Sequence, residues 1–274
     1  MTGTPEPVGE KAASQKAASD QPARQKAAGE RKSADWWDQF WQRPLAATGR
    51  QLTCQRTAEE ALRLLQPELS RLQPGRRLRV LDLGCGHGDL TPLLLDDARL
   101  EIVALDLSAA ALGQFRARLG QRLPDRLTLA RASVYDLPFA DGAFDVVVSF
   151  GYASAASYAG AEHEVARVLK PGGVAVIDFV SPSLYRWLAA PKATLRWLQR
   201  YRDPRQEQYH FGRLGLREHF GPASLKLEAI RYLNAYPPLE RLAGRSWSAP
   251  LDRALSRTAG AVLGRVLLAR LRKQ

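Results

Sequence analysis

Between Leu78 and Val180 the chain alternates short apolar runs with stretches of helical periodicity. Leu78–Leu83, Glu101–Asp106, Arg126–Ala130, Phe144–Ser149 and Val174–Val180 each read as a strand. Runs such as Val146-Val147-Val148 are apolar at every position rather than at every second one. That pattern belongs to strands buried on both faces, as in a parallel sheet covered by helices. Helices are predicted over Asp89–Ala98, over Ala109–Gly120 behind a Ser108 cap, and over Gly160–Lys170. The alternation predicts an α/β fold, with two later strands at Leu225–Tyr232 and Arg265–Arg272.

The flanks differ from this core. Trp36, Trp37, Phe40 and Trp41 fall at i, i+1, i+4 and i+5, which puts four large aromatics on one helical face. A second amphipathic stretch, Thr57 to Leu72, carries Leu62, Leu65, Leu69 and Leu72, and Pro67 is expected to bend or end it. Residues 1–33 repeat Lys-Ala-Ala at 11, 16 and 26 without one aromatic, which reads as an unfolded, dispensable tail, a helical binding arm being the other reading. Residues 181–212 break the strand–helix rhythm with Tyr185, Trp187, Trp197, Tyr201 and Tyr209 among basic side chains, as a substrate lid would. The expected organisation is a tail (1–33) and one domain (34–274). Within the domain lie an N-terminal helical lid (34–76), a ligand-binding core (77–180), a lid insertion (181–224) and final strands with a basic amphipathic segment (225–274).

Composition narrows the class. With 45% hydrophobic and 25% charged residues, the 274-residue chain is of ordinary globular make-up. No apolar run reaches the roughly 18 residues of a membrane span, and the N-terminus lacks the apolar core of a signal peptide. The two cysteines, Cys54 and Cys85, have neither zinc nor disulfide-framework spacing, so the expectation is a cytoplasmic, metal-free protein. The net charge of +12 lies entirely in residues 181–274, which hold eighteen basic and six acidic side chains. Between Leu239 and Leu268 apolar residues recur helically, and Arg241/Arg245 and Arg253/Arg257 form i, i+4 pairs. A basic face of that kind meets an anionic substrate, an RNA or an anionic membrane surface.

The most informative stretch is Val80-Leu81-Asp82-Leu83-Gly84-Cys85-Gly86-His87-Gly88-Asp89-Leu90-Thr91, a strand that ends in an acid and a glycine-rich turn before a helix. In an open parallel sheet, ligands sit beyond the carboxyl ends of the strands. A dinucleotide fingerprint would need glycine at position 89, where Asp89 stands. A carboxylate there also suits a phosphate poorly. Asp-x-Gly-x-Gly-x-Gly instead suits a phosphate-free ligand with a cationic part, such as S-adenosylmethionine (SAM). Asp106 closes the second strand 20 residues beyond Gly86, the distance at which an acid accepts both ribose hydroxyls. Ser108 is free to cap the following helix.

With these residues the chain resembles the class I SAM-dependent methyltransferases, most closely their quinone C-methyltransferase-like branch. The resemblance rests on Val80–Thr91, Ala104–Ser108, Leu137–Asp145, Ser149-Phe150-Gly151 and Val168-Leu169-Lys170-Pro171-Gly172-Gly173, and on Asp178 along the fifth strand. It implies a Rossmann-like sandwich whose mostly parallel seven-stranded sheet has helices on both faces. It also implies SAM as cofactor, held by Asp82, Gly84, Cys85, Gly86, His87, Asp106, Leu107, Ser133, Val134 and Ser149. At Ser133 the sequence departs from the Asp or Asn usual in the family four residues before Leu-Pro-Phe, so weakened but retained adenine recognition is expected. His87 stands where the family often has threonine and is expected beside the methionine moiety, not as a base.

Methyl transfer from a sulfonium needs a nucleophile held in line and water kept out, with no metal and no covalent nucleophile. If the acceptor must lose a proton, Tyr152 and His210 are the named candidates, with Tyr158, Tyr209 and His219 behind them. The expected substrate is a small lipophilic or aromatic molecule methylated on carbon or oxygen, and the expected further contact is peripheral, with an anionic membrane. The competing readings are an RNA- or protein-directed methyltransferase using the basic third, and a protein of this fold that binds SAM without transferring methyl groups. Nucleic acid is disfavoured, because no Asn/Asp-Pro-Pro-aromatic motif follows the fourth strand. The intact glycine loop argues against an inactive relative.

Overall fold

A computed structural model of the chain describes residues 33–42, 50–119, 125–150, 160–180, 213–233 and 266–274. Among the described residues two helices come first, α1 (Ala34–Gln42) and α2 (Arg50–Leu69). The core then runs β1 (Leu78–Leu83), α3 (Thr91–Leu95), β2 (Leu100–Asp106), α4 (Ala109–Leu119), β3 (Leu127–Arg131), β4 (Phe144–Ser149), α5 (Ala161–Val168) and β5 (Leu169–Val180). After it come α6 (Arg213–Phe220), a 3-10 turn (Gly221–Ala223), β6 (Leu225–Leu233) and β7 (Val266–Lys273). Residues Ala34–Gln274 form one compact unit.

The seven strands form a single sheet in the order β3-β2-β1-β4-β5-β7-β6. β1 to β5 run parallel, and β7 enters antiparallel between β5 and β6. The strand order reverses between β1 and β4, which opens a crevice at their carboxyl ends. This is the mostly parallel α/β sheet that the alternation along the chain predicts.

Both faces of the sheet are buried. Leu81, Leu83, Val103, Leu105, Val147 and Ile177 meet Val165 of α5 and Phe220 of α6 on one face. Val80, Ile102, Ala104, Val146 and Val148 meet Leu65 of α2, Leu94 of α3 and Phe115 of α4 on the other. Neighbours along a strand point to opposite faces, so two covered faces leave no polar position in the run.

Four elements have bounds that differ from the sequence reading by more than one residue. α3 occupies only Thr91–Leu95 within the predicted Asp89–Ala98, because the residues before it are spent on the glycine turn, where the Gly88 amide donates to Cys85 O at 3.1 Å. β5 starts at Leu169, five residues early, and shifts register between the Leu169–Phe144 and Val174–Val146 pairs. The predicted Gly160–Lys170 helix accordingly stops at Val168. Pro67 ends nothing at once; α2 begins seven residues early and continues past it to Leu69. The predicted 1–33 tail (Ser33 excepted), the 181–212 insertion and most of the 239–268 basic segment lie outside the described residues.

Candidate cofactor-binding site

The end of β1 and the start of α3 are joined through Asp82. Its side chain is buried, and the Thr91 hydroxyl donates to its Oδ2 at 2.5 Å. Burial pushes the Asp82 carboxyl up to about 7; the Thr91 hydrogen bond opposes the shift and the Asp106 charge adds to it. Beyond Asp82 the chain turns back on the tip of β2, where the Gly84 and Cys85 amides donate to Leu105 O at 2.8 and 2.9 Å. Glycine is required in this turn for two reasons. Gly86 and Gly88 have φ of +55° and +77°, which L side chains rarely adopt. A Cβ would also stand 2.7 Å from the Trp41 ring at Gly86 and 2.2 Å from Phe115 at Gly88.

Asp106, at the tip of β2, faces this turn. Its Oδ2 accepts the Gly86 amide at 2.9 Å and its Oδ1 the Ser108 amide at 2.8 Å. Burial raises its pKa, while the Ser108, Gly86 and Leu107 backbone donors hold it down. A carboxylate offers about four acceptor positions, so the Gly86 and Ser108 bonds leave capacity for hydroxyl donors. Ser108 caps α4 by accepting the Ala111 amide at 3.1 Å, as the sequence suggests, so Asp106 is not needed as a cap.

Asp38 of α1 is a participant that the sequence did not reveal. Its Oδ1 accepts the Ser108 hydroxyl, and the Ala110 amide at 3.0 Å. The Ser108 hydrogen bond, followed by the Ala110 amide, holds its carboxyl below the ordinary range. Only the packing of α1 on α4 brings residues 38 and 108 together, and no local spacing announces it. On the same face, Gln114 Nε2 donates to Trp41 O at 2.7 Å. The Trp41 ring lies 4.8 Å from that of His87. His87 Nε2 is 3.2 Å from Asp89 Oδ1, to which Arg118 Nη1 also donates at 2.7 Å. The His87 hydrogen bond, and then Arg118 against an opposing burial cost, lower Asp89 to about 2.

The other expected residues fall into distinct roles. Burial first, then the Asp82 and Asp106 charges, push the Cys85 thiol well up, so it stays protonated at neutral pH. Leu107 O accepts Arg131 Nε at 3.1 Å. Ser133 pairs with Asp136 in a short antiparallel bridge, and its hydroxyl accepts the Tyr135 amide at 3.2 Å beside the buried Val134. Ser149 is buried, and its hydroxyl donates to Leu83 O at 2.7 Å, which ties the tip of β4 to the tip of β1. Tyr152 and His210, with Tyr158 and Tyr209, lie outside the described residues. His219 packs against Phe220 with its Nε2 3.8 Å from Glu162 Oε2. Burial, with the nearby His163, lowers its pKa to about 4, which makes it a poor proton acceptor at neutral pH. Among the described residues no three His, Cys, Asp or Glu side chains could hold a metal ion.

Comparison with known proteins agrees with this geometry. Residues 80–173 match a family described as a methyltransferase domain. The chain is 40% identical over 97 residues to the demethylmenaquinone methyltransferase of Lactiplantibacillus plantarum, covering 34% of this chain and 41% of that one. To the ubiquinone/menaquinone biosynthesis C-methyltransferase UbiE of Coxiella burnetii it is 36% identical over 121 residues, covering 42% and 47%. The chain thus spans about half the length of the curated relatives it matches. Among solved structures it is similar to geranyl diphosphate C-methyltransferase from Streptomyces coelicolor, with a TM-score of 0.54 at 18% identity over 80% of each chain. Similarity to the methyltransferase solved in complex with the Haloferax volcanii Trm112 activator gives a TM-score of 0.53 at 21% identity, over 86% of this chain and 96% of that one. At these identities the structural likeness is one of fold. Residues 80–173 thus match a methyltransferase domain, and this stretch is similar in sequence to relatives named for demethylmenaquinone and ubiquinone/menaquinone methylation.

Proposed function

We propose that this chain is a SAM-dependent methyltransferase that methylates carbon on a small lipophilic acceptor of the quinone class. The observation that carries the cofactor assignment is the buried Asp106, which holds the Gly86 amide and keeps acceptor capacity for a vicinal diol. In this reading Asp106 binds the ribose hydroxyls. The loop Gly84–Gly88 lets the methionine portion approach the backbone, with Cys85 and His87 beside it. Leu107, Ser133 and Val134 border the adenine, where the Ser133 hydroxyl, having accepted from Tyr135, still has a proton to donate. Asp82 holds Thr91 and so fixes the turn from strand to helix.

When bound, SAM supplies an electrophilic methyl group on sulfur. The chain's own work is to hold the acceptor carbon in line and keep water out. The Trp41 ring against Gly86 covers the loop from the α1 side. Ser149 braces β4 against β1 beneath it. The acceptor class is inferred from relatives named for demethylmenaquinone and ubiquinone/menaquinone methylation. Such acceptors reside in membranes, yet no described helix is long and apolar enough to cross one. In this reading the protein collects its substrate from an anionic surface. Trp36, Trp37, Phe40 and Trp41, none of them fully buried, supply the apolar contact, and the basic C-terminal third supplies the charge.

Titration calorimetry with SAM and S-adenosylhomocysteine tests the cofactor assignment; folded protein that binds neither overturns it. Incubation with labelled SAM and a demethylated quinol tests the acceptor. Co-sedimentation with anionic vesicles at low salt, lost at high salt, tests the membrane contact. A protein that remains in the supernatant throughout overturns the membrane contact.

A further inference from the structure

The contacts around Asp106 close into a ring. Asp106 Oδ2 accepts the Gly86 amide at 2.9 Å, and Gly86 lies against Trp41, whose ring is 2.7 Å from the place its Cβ would take. Trp41 stands one helical turn from Asp38, on the same side of α1. Asp38 accepts the Ser108 hydroxyl, and the Ser108 amide donates to Asp106 Oδ1 at 2.8 Å. The ring thus runs through the proposed ribose carboxylate, the glycine loop, α1 and the cap of α4.

Along this ring α1 is the least buried element. None of its residues is fully buried. Its polar fastenings to α4 include the Asp38 contacts with Ser108 and Ala110 and the Gln114–Trp41 O bond. An element with no fully buried residue opens at lower cost than the sheet beneath it. The anionic Asp38 is well placed for this fastening, since a carboxylate at a helix N-terminus meets free amides and the positive end of the helix dipole.

We propose that Asp38 is a positioning residue for the cofactor site: by gripping the N-terminus of α4 it seats α1, so that Trp41 closes over the glycine loop and slows the escape of bound cofactor. The proposal rests on the reading of Asp106 and its loop as the SAM site. A ligand on Asp106 loads the same carboxylate that holds Gly86 and Ser108, so seating of α1 and retention of ligand favour each other, as linkage requires.

The test uses the full chain and S-adenosylhomocysteine, with dissociation followed by stopped-flow competition. Asp38→Ala should release the ligand about tenfold faster, while association changes by no more than about twofold. Asp38→Asn should restore slow release, because the amide oxygen accepts the same two bonds. Gln114→Ala, which loosens the second fastening, should accelerate release about threefold. Trp41→Leu should match Asp38→Ala, and the pair combined should be no worse than either, since both act through one element. In the ligand-free protein, hydrogen exchange at the Gly86 and Gly88 amides should rise in Asp38→Ala. Wild-type release rates in Asp38→Ala, or loop exchange that does not change, overturn the proposal. Folded wild-type protein that binds no S-adenosylhomocysteine overturns the cofactor reading and this proposal together; wild-type binding with an unaltered Asp38→Ala overturns this proposal alone.

Discussion

Asp106 and Arg270 are withdrawn from water to a similar degree, 9% and 5% exposed, yet their surroundings are built in opposite ways. Arg270, on β7, donates Nε to Glu228 Oε2 at 2.8 Å and its terminal nitrogens to Glu68 Oε2 and Oε1 at 2.6 and 2.7 Å. Leu64 O accepts from it as well. Arg272 extends the cluster with bonds to Glu68 Oε1 at 2.9 Å and Gly172 O at 2.7 Å, and pairs with Glu228. Burial alone would raise Glu68; Arg270 and Arg272 outweigh it and hold the carboxyl below its ordinary range. At the other end of the sheet, Asp82 and Asp106 are bonded by a hydroxyl and by backbone amides, and burial raises both.

The contrast separates a closed cluster from an open one. The arginine network neutralises itself and fastens α2 to β6 and β7. The carboxylate pair keeps unspent acceptor capacity and a cost of ionisation, the condition in which a cationic or hydroxyl-rich ligand adds most. It also changes the meaning of the +12 charge. Arg270 and Arg272 are paired inside the chain, and Lys273 donates to Leu169 O at 2.7 Å, so part of the C-terminal excess serves the fold and is not offered to a partner.

The sharpest way to break the comparison is Arg270→Met. It leaves Glu68 and Glu228 short of their main counter-charge, so stability should fall by about 3–5 kcal/mol, the scale for opening a buried ion network. Urea unfolding measures this, and cofactor affinity of the folded fraction should stay at the wild-type value.

Asp82 supplies the next effect, as a pH dependence. Its folded pKa, about 7, lies above the ordinary value of 3.8. The neutral acid is therefore the form that the fold favours. The stability that this group contributes is fully present below about pH 4 and is lost as pH rises through 7. The loss amounts to at most about 4 kcal/mol. Asp82→Asn should flatten the stability profile between pH 4 and 8. A wild-type profile already flat in that window would show that Asp82 is ionised and compensated like Glu68.

Asp106→Ala should weaken S-adenosylhomocysteine binding by about 1.5–3 kcal/mol by calorimetry, the scale of a charge-assisted hydrogen bond. If Arg270→Met damaged affinity as much as Asp106→Ala did, the division into closed and open clusters would be wrong.

These two clusters were unequally legible in the sequence. The open one lies within 82–108, where strand, glycine turn and acid stand at fixed spacing, so Asp82 and Asp106 both stand out in the local pattern. The closed one joins residues 68, 228, 270 and 272, far apart in the chain, and only the antiparallel insertion of β7 makes them neighbours. The same reason hid Asp38. Element ends depart from the periodicity where the backbone turns before it does, as at Gly88 and at Lys170–Gly173. The reading of Ser149 rested on resemblance to a family motif, which places a residue in a site without saying which way its hydroxyl is spent.

Ser149→Ala gives the smallest expected effect and decides that last question. The Ser149 hydroxyl donates to Leu83 O at 2.7 Å and the residue is fully buried. That contact runs to the strand beneath the glycine loop. Removing it leaves a strand-end carbonyl without that donor, at a cost of about 1–2 kcal/mol in stability. S-adenosylhomocysteine affinity should change by less than about 0.5 kcal/mol, the ordinary effect of a substitution distant from the ligand. Thr in place of Ala should recover the stability if its extra methyl fits the tip of β4, because the donor is restored. A variant of full stability with affinity reduced tenfold would place the hydroxyl on the cofactor and move Ser149 from the frame of the site into its lining.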